Sequence, residues 1–249
     1  MSFPIMTSAT FPEAWPEQLK ELAPRTVEVP LEEADAWVLG SFTPAFRAAH
    51  APIQPPFFGD ALLEQIEAAL ADFDNGVMPR MSYCSWKAST LCHFPTRTLK
   101  QMLAVLTQPD PRVAGAVEVM VTSGDPVVLH LRDWRDLAPW SEFRMFIKDR
   151  RFSGVSQYHH RDLFPALARN YAPLAQVLAD FADQVLAVLH IDDVVVDLAV
   201  HETSPGDFKT ELIELNPFDK RTDPCLFSWD REGDFDQTFR IRLPPPSDL

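Results

Sequence analysis

The chain has 249 residues, 46% of them apolar, enough for one large domain or two small lobes and too many for a disordered chain. A formal charge of −14 argues against a nucleic acid held by a basic surface and against docking on an anionic membrane. The three cysteines form no Cys-x-x-Cys pair, and no apolar run approaches the ~18 residues of a membrane span. With no signal-peptide pattern at its start, the sequence reads as a reducing, cytoplasmic protein.

The first third is proline-rich, in FPEAWPEQLKELAP, TVEVP and APIQPPFFGD. That density predicts an irregular wrap rather than long helices, with a strand at Arg25–Val29. A helix follows with Asp60 as its cap, because Leu62, Leu63, Ile66, Ala69, Leu70 and Phe73 share one face. Asn75-Gly76 ends it, and a strand over Val77–Tyr83 comes next. Thr98–Thr107 has helical spacing, and Pro109 and Pro111 then break the chain. The expected division is an N-terminal lobe over residues 1–110 and a C-terminal lobe over 111–249.

The second half is strand-rich. Val127–Arg132 is a compact apolar strand, Glu142–Lys148 alternates, and Phe152–Tyr158 follows a tight basic turn. Helical patterns run from Leu163 to His190, interrupted at Pro165 and Pro173. Two further strands, Asp193–His201 and Phe208–Asn216, flank a turn at Ser204-Pro205-Gly206-Asp207. The end, LPPPSDL, reads as extended chain.

The last two strands carry the most informative chemistry. A hairpin centred on Pro205-Gly206 sets Asp197 opposite Glu214, and Asn216 shares the face of Glu214. Facing carboxylates repel, and a charge in an apolar run is costly. A divalent cation offsets both, and Mg²⁺ takes oxygen ligands of this kind. The competing reading is a salt bridge to Lys or Arg, or an Asp197 turned to solvent.

Arg144, on a strand between bulky neighbours, suits a two-point phosphate clamp, or else pairs at the surface with Glu142 or Asp149. Arg80 sits mid-strand where an apolar residue is expected. Leu131, Arg132 and Trp134 end a strand that either edges an adenine pocket or packs in the core. The seven histidines show no metal spacing, and His159-His160 reads as an adjacent pair on a strand, pointing opposite ways. There is no P-loop, no Gly-x-Gly-x-x-Gly and no Gly-x-Ser-x-Gly.

These residues resemble the cell-division-cycle-123 family. The likeness lies in EFRMFIKDRRFSGVSQ, VVVDLAV, ELIELNPF and TDPCLFSW, and upstream in FPEAWPEQLKELAPRTVEVPL, VMPRMSYCSWKAS and LRDW. It implies an α+β, ATP-grasp-like fold of two lobes with mainly antiparallel sheets and a nucleotide cleft between them. It also implies ATP and Mg²⁺ as ligands. Eukaryotic members of that family are assembly factors for translation initiation factor 2 and bind its gamma subunit.

On this resemblance the metal ligands fall on Asp197, Glu214 and Asn216, with Glu at 214 for the usual Asp. The nucleotide contacts fall on Arg80, Arg144 and the Leu131–Trp134 strand end, with Gln157 in the matched SGVSQ. Departures lie at Ser82–Trp86, at Ala88 where an acid is usual, at Tyr158-His159, and in a missing C-terminal extension. The lysine-poor composition suits a bacterial source. Three functions are open at this point: an ATP-dependent assembly factor or chaperone for a protein such as a translation GTPase, an ATP-grasp ligase that phosphorylates a carboxylate, or a domain with no nucleotide site.

Overall fold

The computed structural model describes residues 8–50, 57–86 and 89–243. The expectations for APIQPP, Ala88 and the last six residues lie outside them. In order come α1 (Glu17–Lys20), β1 (Thr26–Leu31), α2 (Glu33–Ser41), α3 (Pro44–Ala49), α4 (Asp60–Leu70), β2 (Val77–Met81), α5 (Leu99–Leu106) and α6 (Pro111–Ser123). Then follow β3 (Val127–Asp133), β4 (Glu142–Lys148), β5 (Arg151–Gln157), α7 (Pro165–Arg169), α8 (Tyr171–Val188), β6 (Val194–Ser204), β7 (Asp207–Pro217) and β8 (Phe239–Arg240). The fold is mixed α+β with mainly antiparallel sheets, as expected from the sequence. Among the described residues no helix is long and apolar enough to cross a membrane.

The chain forms two compact units. Arg25–Arg135 make the first; Asp136 onward, with the segment ending at Pro24, make the second. The division therefore falls at 135/136 rather than 110/111. Its cause is β3, the central strand of a sheet ordered β1-β3-β2, which ties the chain beyond residue 111 to the first unit. Leu129 and Leu131 face a core built with α2 to α6, where Ile66, Met102 and Val117 are fully buried.

Pro109 and Pro111 do not mark a lobe boundary. Pro111 occupies the first turn of α6, where a missing N–H costs nothing, and Asp110 caps that helix by accepting from Arg112 N at 2.9 Å. The proline-rich first third likewise holds three short α-helices among the described residues, α1, α2 and α3. Gly59, not Asp60, is the N-cap of α4. Thr98 caps α5 in a reciprocal pair with Gln101, each bond 3.2 Å long.

The second unit is built on a five-stranded sheet ordered β7-β6-β4-β5-β8. One face is apolar: Phe143 and Met145 of β4 and Val194, Val196 and Leu198 of β6 pack on Leu174, Leu178, Phe181 and Val185 of α8. Each such buried side chain contributes about 1.5–3 kcal/mol. Pro173 does not interrupt α8, because it sits in the first turn. Trp15 and Leu19 complete this core from the N-terminal segment.

The opposite face of the same sheet carries an aromatic cluster of Phe146, Phe218, Phe227, Trp229 and Phe235 around Val195. Gly154 lets Phe227 approach. A Cβ on Gly154 would lie 2.5 Å from the Phe227 ring, and the residue's φ of +152° suits glycine. Beside the cluster runs a polar rung, described next.

Candidate functional site

Strand pairing sets five polar residues in one row across the second sheet. Glu214 of β7 lies opposite Asp197 of β6, Asp197 opposite Arg144 of β4, Arg144 opposite Ser156 of β5, and Ser156 opposite Arg240 of β8. The expected Asp197–Glu214 pairing is thus present. The register slips after Asp197 and slips back before Ser204, so a turn at Pro205-Gly206 still delivers it. Gly206, at φ +82°, makes that turn.

Arg144 grips Asp197 in two-point fashion. Its Nε donates to Oδ1 at 2.7 Å and Nη2 to Oδ2 at 2.8 Å, while Nη1 donates to the Asp223 carbonyl at 2.8 Å. Tyr158 lies under the guanidinium, 4.8 Å from its ring centroid. Both partners are about 7% exposed, so the pair is a buried one. Burial pulls the Arg144 pKa down, but the hydrogen bonds and charge of Asp197 more than reverse that, and the net shift is upward.

Arg144 supplies the salt bridge to Asp197 that the sequence leaves open as the competing reading, and it is neither a surface arginine nor a partner of Glu142. Asn216 closes the group: its Nδ2 donates to Asp197 Oδ2 at 3.0 Å and lies 3.5 Å from Glu214 Oε1. Two carboxylates and one amide therefore converge at a half-buried position, with one arginine beside them. After Arg144 is counted the trio carries a single net negative charge. With the Asn216 amide flipped so that Oδ1 joins the two carboxylates, that donor set fits a hard divalent cation with few protein ligands.

Gln157 has another task. Its Nε2 donates to the carbonyls of His159 and Asp162 at 2.8 and 2.9 Å, and its Oε1 accepts from Arg242 N at 2.6 Å. All its polar atoms fix backbone, so it shapes the loop after β5 and offers no free group to a nucleotide. That loop holds His159 and His160, which stand in a turn rather than on a strand. His159 Nε2 meets Glu142 Oε1 at 3.0 Å.

The remaining residues singled out in the sequence lie in the first unit. Leu131 turns into its core and is fully buried. Both backbone edges of β3 are paired at this residue, with Val27 and Pro79. Arg80, His130 and Arg132 share the other face, Arg80 opposite His130 and Arg132 opposite Met78, and all three are buried. Trp134 is half-buried and donates its backbone N–H to the Gly76 carbonyl at 3.0 Å. Arg80 and Arg132 thus share one buried face of this sheet, whereas Leu131 is a core residue on the other.

Residues 116–238 match the D123 family. A translation initiation factor eIF2 assembly protein of Botryotinia fuckeliana is 30% identical over 182 residues, which are 67% of this chain and 44% of that protein. Cell division cycle protein 123 of Eremothecium gossypii is 38% identical over 113 residues, 43% of this chain and 30% of that protein. The chain belongs to the D123 family. It matches less than half the length of these curated relatives. The structure of Cdc123 from Schizosaccharomyces pombe superposes with a TM-score of 0.73 at 20% identity, covering 95% of this chain and 96% of that one, so the two share a fold. Within the D123 match fall β4, β6 and β7, the strands that carry Arg144, Asp197, Glu214 and Asn216.

Sequence reasoning missed two features here. The Arg144–Asp197 pair was invisible because it depends on β4 lying next to β6. The second is a cavity of about 230 Å³ beside Arg144, lined by Tyr158, His160, Asp162, Asp223 and Cys225. Its residues come from two loops more than sixty positions apart, and no spacing signal links them.

Proposed function

We propose that this D123-family chain binds Mg-ATP, with Asp197, Glu214 and Asn216 holding the Mg²⁺ and Arg144 steering phosphate toward it, and that the bound state assists assembly of a protein partner. The partner class is a translation GTPase subunit such as the gamma subunit of initiation factor 2. The convergence of three oxygen-bearing side chains on the polar rung carries the reading. The names of the curated relatives, eIF2 assembly proteins, support the partner class.

In this reading Glu214 is the ligand of most use to a cation, because Asp197 is already shared with Arg144, and Asn216, whose amide nitrogen faces the carboxylates, turns its oxygen inward to bind. The Mg²⁺ would supply charge that phosphates and carboxylates can share. Arg144, held by Asp197 and the Asp223 carbonyl, cannot swing away, so its guanidinium N–H groups stand at fixed positions.

A thermal-shift titration tests this. Mg-ATP at 100 times its dissociation constant adds about 2.7 kcal/mol to stability. The expected outcome is a shift that needs both Mg²⁺ and ATP and shrinks in Glu214→Gln, which keeps the shape and removes the charge. A shift that is unchanged in Glu214→Gln, or equal with EDTA present, would overturn the metal assignment. Capture of purified initiation factor 2 gamma subunit with and without Mg-ATP then tests the partner.

A further inference from the structure

The cavity beside Arg144 brings together a histidine, a carboxylate and a thiol. His160, Asp223 and Cys225 each offer a ligand atom, and these atoms lie within 4.8 Å of one another. In a four-coordinate zinc site with bonds of about 2.0–2.3 Å, neighbouring ligand atoms stand roughly 3.3–3.8 Å apart. Small side-chain rotations close the difference. We infer that His160, Asp223 and Cys225 form a second metal site, for a borderline-soft divalent cation of the Zn²⁺ class. It goes beyond the Mg-ATP reading and does not rest on it.

The donor set decides the metal class. A thiolate, an imidazole and a carboxylate together suit Zn²⁺ or Co²⁺ and not Mg²⁺, which takes oxygen alone. Each ligand is oriented by its own surroundings. His160 Nδ1 lies 3.3 Å from the Tyr158 carbonyl. If Nδ1 carries the proton, that contact fixes the ring and turns Nε2 to the metal, the usual support of a ligating histidine. Asp223 Oδ1 accepts from Cys225 N at 2.8 Å, which fixes the carboxylate against the turn. Cys225 itself is held at φ +56°, in the left-handed region that a cysteine seldom adopts.

Burial pushes the Cys225 thiol up to about 12, so a binding metal has to displace that proton to solvent; the thiolate it then holds and Asp223 supply two negative charges for a divalent ion. Arg144 lines the same cavity, but Asp197 neutralises it; Arg161 lines it too and is exposed, so water screens its charge. The three ligands leave a fourth position open toward the cavity, where water or a further ligand completes the sphere. A metal there would cross-link the loop after β5 to the loop after β7, both of which touch Arg144.

Cobalt titration of the purified full chain provides the test. The expected result is one equivalent of tightly bound Co²⁺ with near-ultraviolet thiolate-to-cobalt absorption, abolished by excess Zn²⁺. Both Cys225→Ser and His160→Gln should lose that absorption, and Cys92→Ser should keep it. Circular dichroism of each variant without metal verifies folding, and His160→Gln carries the test if Cys225→Ser does not fold. No saturable binding, or thiolate absorption that survives in His160→Gln, overturns the site.

Discussion

Both units pair strands far apart in the chain, but the side-chain contacts that stand out in each differ in reach. In the first, helix starts are fixed by neighbours: Thr98 with Gln101, and Asp110 with Arg112. In the second, the decisive pairs span long stretches. Arg144 meets Asp197 across 53 positions, and Gly154 receives Phe227. Local caps set where an element begins and add modest stability. Long-range pairs hold a sheet together, and each one that breaks exposes something buried.

Three substitutions rank that contrast. Asp197→Ala should cost the most, about 3–5 kcal/mol, because it leaves the Arg144 guanidinium buried without its carboxylate. A urea melt measures it, and replacing both residues by apolar ones should cost less than the single change. This makes Asp197→Ala first a stability variant, and Glu214→Gln the cleaner probe of the metal. Gly154→Ala comes next, at about 1–3 kcal/mol, as its methyl group meets the Phe227 ring. A lower melting temperature and altered Trp229 fluorescence would register it. Thr98→Ala should cost about 1 kcal/mol, confined to the start of α5 and visible as faster amide exchange there. If Thr98→Ala proves as damaging as Asp197→Ala, the contrast fails.

The same distinction explains what the sequence disclosed. Thr98 and the Pro205-Gly206 turn are local signals whose elements stand where expected, whereas α4 ends at Leu70, ahead of the Asn75-Gly76 stop. The Asp197–Glu214 register was legible because a single short turn sets it. The order β7-β6-β4-β5-β8 was not, since it depends on which strands meet after folding. That order decides whether Arg144 clamps a phosphate alone or first neutralises Asp197. Asp110-Pro111 is a local signal too: a capping acid before a first-turn proline announces a helix, not a break. His160 and Cys225 meet only through loop packing, which no periodicity encodes.

The first unit interrupts the second, and that arrangement has a consequence for synthesis on the ribosome. Residues 25–135 contain all the strands of their own sheet, so this unit can complete its fold while the rest is still being made. Trp15 and Leu19, made earlier, must wait for α8 and β6 before their core exists. The Leu22 carbonyl waits longer still, until Leu212 arrives to donate to it at 2.7 Å. The nascent chain thus holds Trp15 and Leu19 uncovered past the birth of its first finished unit, a window in which a holding chaperone has most to offer.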